Sequence, residues 1–193
     1  MPGVLPFRTL LAMEHVSDRP LTAEEYSRLP EGEDRDELIA GLVVSEPHPL
    51  PRHGRIQVEL ASRLHGHVRS RGLGVVLTEV GFLLARDPDT VRAPDVAFVR
   101  AARYDARKEA SGFFPGAPDL TVEILSPSNR PGEIHAKVAD YLAAGAPLVW
   151  VLDPERRAAT VYRTLLAPRR VAVLDGEDVV PGFSVTVSEL LDI

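Results

Sequence analysis

Asp95, Glu123 and Lys137 are the side chains whose types and spacing could do chemistry. Glu123 sits in Leu120-Thr121-Val122-Glu123-Ile124-Leu125, a run that is apolar on both alternating faces, as in a strand covered on both sides. An ionised carboxylate in such a place needs a partner, and a cation is one such partner. Asp95 lies in the apolar run from Val91 to Val99, where period-2 alternation groups it with Ala93 and Ala97 and leaves room for an ion. Two isolated acids on strands, followed by a lysine on the next helix, point to a metal site.

The elements that must position these groups follow from the local pattern. Pro94 cannot donate to a ladder, so it marks a strand start, an edge or a bulge. Ser126-Pro127-Ser128-Asn129-Arg130 is turn chemistry, and Pro131 then opens a helix that closes at Gly145. Ile134, Val138, Tyr141 and Leu142 form its core stripe, with Lys137 on the flank. A lysine there either snorkels to solvent or reaches along the body toward the strand ends. Strand 120 to 125, helix 131 to 145 and strand 148 to 152 make a βαβ unit with parallel strands.

Upstream, Thr22 and Glu25 have capping-box spacing for a short helix, and the apolar run after the acidic stretch 31 to 37 reads as a first strand pair. Glu37 opens that run and is either a third carboxylate of the site or a strand-edge acid. A long helix from about Arg52 to Arg71 carries Ile56, Leu60, Leu64 and Val68 at four-residue spacing. Its other faces present Arg52, Arg55, Arg63, Arg69 and Arg71 against Glu59. Arg100, Arg103, Arg107 and Lys108 add a second positive patch. Such patches are solvated surface or a phosphate track, since phosphate contacts are mostly Arg and Lys. Residues 75 to 84 read as one strand, with Glu79 either an exposed strand acid or one that approaches the site, and a turn at 87 to 90 leads as a hairpin into the Asp95 strand. The tail after residue 160 reads as short strands ending with 183 to 187, extending the sheet antiparallel.

The 193-residue chain has no cysteine and a net charge of −6. Disulfides, thiolate zinc sites and cysteine nucleophiles are thereby excluded, and a general nucleic-acid sponge is disfavoured. Residues 1 to 20 hold no apolar core of signal-peptide length and nothing approaches a membrane span, so an N-terminal arm, one domain over 21 to 193 and a cytoplasmic setting are expected.

The sequence resembles the Uma-type restriction endonucleases, a branch of the PD-(D/E)XK nuclease superfamily. The resemblance rests on Leu21 to Tyr26, Glu37 to Gly41, His53, Ala93 to Val99, Ala117 to Ser128, Lys137 to Tyr141 and Trp150 to Pro154, in that order. It departs from the superfamily at Leu125, where the E-x-K lysine would stand, and so implies that Lys137 supplies the lysine from the helix. It implies an α/β (α+β) restriction-endonuclease-like fold: a mixed central sheet flanked by helices, with an antiparallel C-terminal extension. It further implies Asp95 and Glu123 as ligands of Mg²⁺ or Mn²⁺, and DNA as the partner. His53, at the opening of the long helix, gains a site role from the resemblance alone. The expected activity is metal-dependent hydrolysis of DNA phosphodiester bonds by a homodimer. The competing expectations are a catalytically silent nuclease-fold module that binds nucleic acid or protein, and a structural oligomer in which Lys137 pairs with Glu123.

Overall fold

The structure is a computed structural model and describes residues 19–30, 35–105 and 112–192. Most of the expected N-terminal arm, together with Arg107 and Lys108, lies outside the described residues. Helix α1 (Ala23–Tyr26) carries the anticipated capping box between Thr22 and Glu25. Strands β1 (Arg35–Ile39) and β2 (Leu42–Glu46) form a hairpin. Its turn, Ala40-Gly41, has φ of 49° and 77°, as a two-residue type I′ turn requires. The register that results sets Glu37 opposite Val44, so Glu46 falls on the same face as Glu37.

Helix α2 (Pro51–Arg71) follows, starting on a proline and ending on Gly72 in the left-handed conformation. Its stripe Ile56, Leu60, Leu64 and Val68 is buried as the spacing predicts. Each such side chain contributes about 1.5–3 kcal/mol on leaving water. The stripe packs on Val96, Phe98, Leu120, Val122, Leu148 and Trp150 of the central sheet.

Strands β3 (Gly74–Leu77), β4 (Phe82–Ala85), β5 (Thr90–Arg92) and β6 (Val96–Arg100) correct the sequence reading. The run 75 to 84 is two strands, and the run 91 to 99 is likewise two, because the chain changes sheets at both places. At the first break Glu79 has φ of 56°, and at Gly81 a Cβ would lie 2.4 Å from the Phe113 ring. At the second break stands Pro94, whose carbonyl accepts from the Glu79 amide at 3.1 Å, so the two crossings brace each other. The hairpin predicted at 87 to 90 joins β4 to β5, and Asp95 belongs to the crossing rather than to a strand.

With β7 (Phe114–Pro115), β8 (Leu120–Ile124), helix α3 (Pro131–Ala143), β9 (Leu148–Asp153), β10 (Ala158–Tyr162) and β11 (Arg169–Val171), two mixed sheets are complete. Their orders are β2-β1-β5-β4-β7 and β11-β10-β9-β8-β6-β3. Strands β8 and β9 are parallel, as the βαβ reading requires. Ile134, Val138 and Tyr141 of α3 pack on Val149 and Val151, on the face of the six-stranded sheet opposite α2. Strands β10 and β11 extend that sheet antiparallel as expected. The rest of the tail does not: β12 (Val173–Asp175) and β13 (Ser184–Thr186) form a separate two-stranded sheet. Val187 opens helix α4 (Val187–Leu191) instead of ending a strand, because Thr186 and Glu189 form a capping box.

Candidate active site: a cleft of carboxylates around Lys137

Strand β8 turns Leu120, Val122 and Ile124 toward α2, which leaves Thr121 and Glu123 on the α3 side. Tyr141 donates its hydroxyl proton to Glu123 Oε1 at 2.7 Å. Lys137 stands one helical turn before Tyr141 and therefore on the same side of α3. Its ammonium lies 3.8 Å from Glu123 Oε2, 3.3 Å from Glu37 Oε1 and 2.6 Å from Glu46 Oε1. At 4% exposure it is no snorkelling surface lysine.

Asp95 reaches the same cleft from the sheet crossing. Its Oδ2 accepts the Ile124 amide at 2.7 Å and lies 3.1 Å from His53 Nε2. A carboxylate only accepts, so the His53 proton is assigned to Nε2. Nδ1 of that buried ring then has no hydrogen-bond partner. Glu46, His53, Asp95, Glu123, Ser126, Asn129 and Lys137 all line the cleft, whose free space is about 30 Å³.

Glu37 is held on both oxygens. Oε2 accepts from Arg92 Nη1 at 2.7 Å and Oε1 from the Ala93 amide at 3.1 Å. Buried Arg92 also grips Asp140 of α3 through Nη2 at 2.7 Å and Nε at 3.0 Å. Arg92 thus ties β1 and β5 to the helix that carries Lys137. Sequence reasoning singled out Asp95, Glu123, Lys137, Glu37 and His53, which the structure brings together, but it missed Glu46, Arg92 and Asp140, and for Tyr141 it gave the core position without the bond to Glu123. The available signal for Glu46 was the two-residue turn, which puts it on the Glu37 face.

The electrostatics follow from burial and crowding. Burial pushes the Glu123 carboxyl from 4.5 up to about 8; Lys137 pulls it down, while Asp95 and Glu37 push it further up. Burial works against the Lys137 charge, yet Glu123, Glu37 and Glu46 outweigh it and hold the ammonium above its ordinary value. Arg92 is likewise penalised by burial and held above its ordinary value by Glu37 and Asp140. Tyr141 is raised well above its ordinary value by burial and by the nearby Glu123 and Glu37 charges, so it stays a donor.

Glu37, Glu46, Asp95 and the Glu123 carboxyl, which ionises only near pH 8, face Lys137 and an arginine already shared with Asp140, and a divalent cation would balance the negative charge of the ionised set. Among the described residues no group of three or more histidine or acidic side chains is arranged to hold a metal by itself. Asp95 and Glu123, which line the same cleft, could hold a metal together with water and substrate oxygens. That donor set fits Mg²⁺, which takes one or two carboxylates and keeps its remaining positions for water and phosphate.

The basic patches are divided. Arg52 pairs with Glu155 at 3.3 Å and Arg55 is exposed, both on the α2 end that carries His53. Arg63 is engaged by Glu59 at 2.6 Å and Glu189 at 3.7 Å. Arg103 is bound to Asp119 at 3.0 Å and to the Ala117 carbonyl at 2.7 Å, and it lines a different cavity with Leu77, Phe113 and Phe114. Glu79 accepts from Gln57 at 3.1 Å, and the same amide donates to the Asp95 carbonyl at 3.0 Å.

A mixed α+β fold with two acids and a lysine meeting between two sheets is a restriction-endonuclease-like nuclease fold. A crystal structure of a putative nuclease belonging to DUF820 from Anabaena variabilis is similar, with a TM-score of 0.78 and 25% identity over 90% of this chain and 98% of that one. The chain belongs to the Uma2 family, described as "Putative restriction endonuclease", whose model matches residues 23–188. No curated protein matches it. Among the described residues no helix is long and apolar enough to cross a membrane.

Proposed function

We propose that this chain is a metal-dependent endonuclease that hydrolyses DNA phosphodiester bonds with Mg²⁺ or Mn²⁺ held by Asp95 and Glu123. The observation that carries the reading is the convergence of these two buried carboxylates with the Lys137 ammonium in one cleft. When bound, the metal would lower the pKa of a water and offset charge on the scissile phosphate. Tyr141 fixes one Glu123 oxygen, and His53 with the Ile124 amide fixes one Asp95 oxygen, which orients both ligands. Lys137 steadies the charge that grows on the phosphate as the bond breaks. Arg52 and Arg55 flank His53 and supply phosphate contacts at the cleft mouth, with Arg63, held by two acids, and Arg103, which lines a different cavity, in lesser roles. We place the enzyme in the cytoplasm as a homodimer, since a double-strand break needs two sites or two visits and twofold symmetry is the commonest closure.

The test is cleavage of supercoiled plasmid in Mn²⁺ against chelator. Wild type is expected to nick and linearise it, and Glu123→Gln to do neither. Lys137→Met keeps the unbranched stem and deletes the ammonium; it should slow turnover about 10²- to 10³-fold, far more than it weakens DNA binding. Duplex binding without metal-dependent cleavage would instead establish a silent binding module.

A further inference from the structure

Among the described residues Lys137 has three carboxyl partners, and they differ in whether they can leave. Glu123 sits in β8, inside the six-stranded sheet, with one oxygen fixed by Tyr141. Glu37 is buried and clamped by Arg92 and the Ala93 amide. Glu46 makes the shortest contact of the three, 2.6 Å, yet its side chain is 28% exposed. It ends β2, the outer strand of its sheet, whose Leu42, Val43 and Val44 are exposed at 66%, 38% and 40%. That strand carries little buried surface, so displacing its end costs few core contacts. The two hairpin-side loop residues that follow and line the cleft are Pro47 and Pro49.

The cleft as it stands has about 30 Å³ free, which is room for about one water and not for a phosphodiester. A phosphate that reaches Lys137 brings a negative charge to the place where the Glu46 carboxylate lies, and the two anions repel each other there. We propose that Glu46 is a displaceable stand-in for the substrate phosphate: it occupies the Lys137 ammonium until the backbone of the nucleic acid takes its place, and so sets substrate affinity. The inference rests on the phosphodiester reading above and adds a residue that competes with substrate. Glu46 therefore lowers affinity without taking part in turnover.

The test is fluorescence anisotropy of a labelled DNA duplex in Ca²⁺, paired with steady-state cleavage in Mn²⁺. Glu46→Gln removes the competing charge and keeps the shape of the side chain. It should tighten duplex binding about tenfold and lower KM by a similar factor at unchanged kcat. Asp36→Asn is the control for general repulsion. Asp36 belongs to the same hairpin but accepts from Ser45 at 2.6 Å and lies on the opposite face of β1 from Glu37. It should leave affinity within about twofold. Equal tightening by both variants, no tightening by Glu46→Gln, or a fall in kcat at unchanged KM would each overturn the proposal. Wild type that binds duplex while Glu46→Gln binds no better sinks this inference alone, whereas wild type that binds no duplex sinks the proposed function with it.

Discussion

Metal binding by Glu123 should be a proton-release reaction at neutral pH, because a ligating carboxylate must be ionised and burial raises this one to about 8. At pH 6 only about one molecule in a hundred then carries the ionised form. Mn²⁺ affinity should accordingly climb roughly tenfold per pH unit between about 5 and 8 and flatten above that. Calorimetry at pH 6.5, repeated in buffers of different ionisation enthalpy, should return about one proton released per ion. The same group shapes the stability of the metal-free protein. Its folded-state pKa lies above the ordinary 4.5, so between about 4.5 and 8 the folded chain keeps a proton that the unfolded chain has lost. That stabilisation is complete below 4.5 and disappears as pH rises through 8, with a slope of at most about 1.4 kcal/mol per pH unit. Saturating Mn²⁺ should cancel the slope by holding the ionised form. Mn²⁺ that binds with no proton release at pH 6.5, or with an affinity flat from pH 5.5 to 8, would refute the reasoning.

Three further outcomes follow from packing and pairing. Arg92→Met leaves the buried Glu37 carboxylate without its main partner and should cost about 3–5 kcal/mol in urea unfolding; a loss under about 1 kcal/mol would show that Arg92 is not the tie between the five-stranded sheet and α3. Leu60→Ala removes a fully buried side chain and should cost about 2–5 kcal/mol while Mn²⁺ affinity per folded molecule stays the same. Light scattering at high protein concentration should give twice the chain mass, and a monomer mass would remove the dimer from the proposal.

The sequence carried the parts of the fold in which one element answers to one neighbour. The four-residue spacing in α2 and the βαβ unit around α3 are of that kind, because a helix stripe or a doubly covered strand records its burial in its own residues. The tail from Val173 onward does not, since a capping pair at Thr186 and Glu189 overrides an alternating pattern at Val187. The two sheet changes were only partly legible. Pro94 marked a strand start, an edge or a bulge without saying that the chain changes sheets there, and the two breaks are braced by a bond between them, Glu79 amide to Pro94 carbonyl. In the site, Asp95, Glu123 and Lys137 stand out as charges in apolar settings. Arg92 does not, because its partners Glu37 and Asp140 are 55 and 48 residues away.

The position of the acids explains why the sheets divide where they do. A continuous strand through residues 90 to 100 would fix Asp95 as a ladder residue, with its side chain perpendicular to one sheet. Breaking the strand at Pro94 frees Asp95 to cap the end of β8, where its carboxylate receives the Ile124 amide one residue beyond Glu123. The same break leaves Arg92 as the last residue of β5, buried and turned toward Glu37 and Asp140. Two residues, Ala93 and Pro94, thus separate the group that locks the five-stranded sheet to α3 from the group that faces the cleft. A shift of α3 against the five-stranded sheet must stretch the Arg92–Asp140 contact, so the buried arginine helps to hold the lysine of α3 against the two acids.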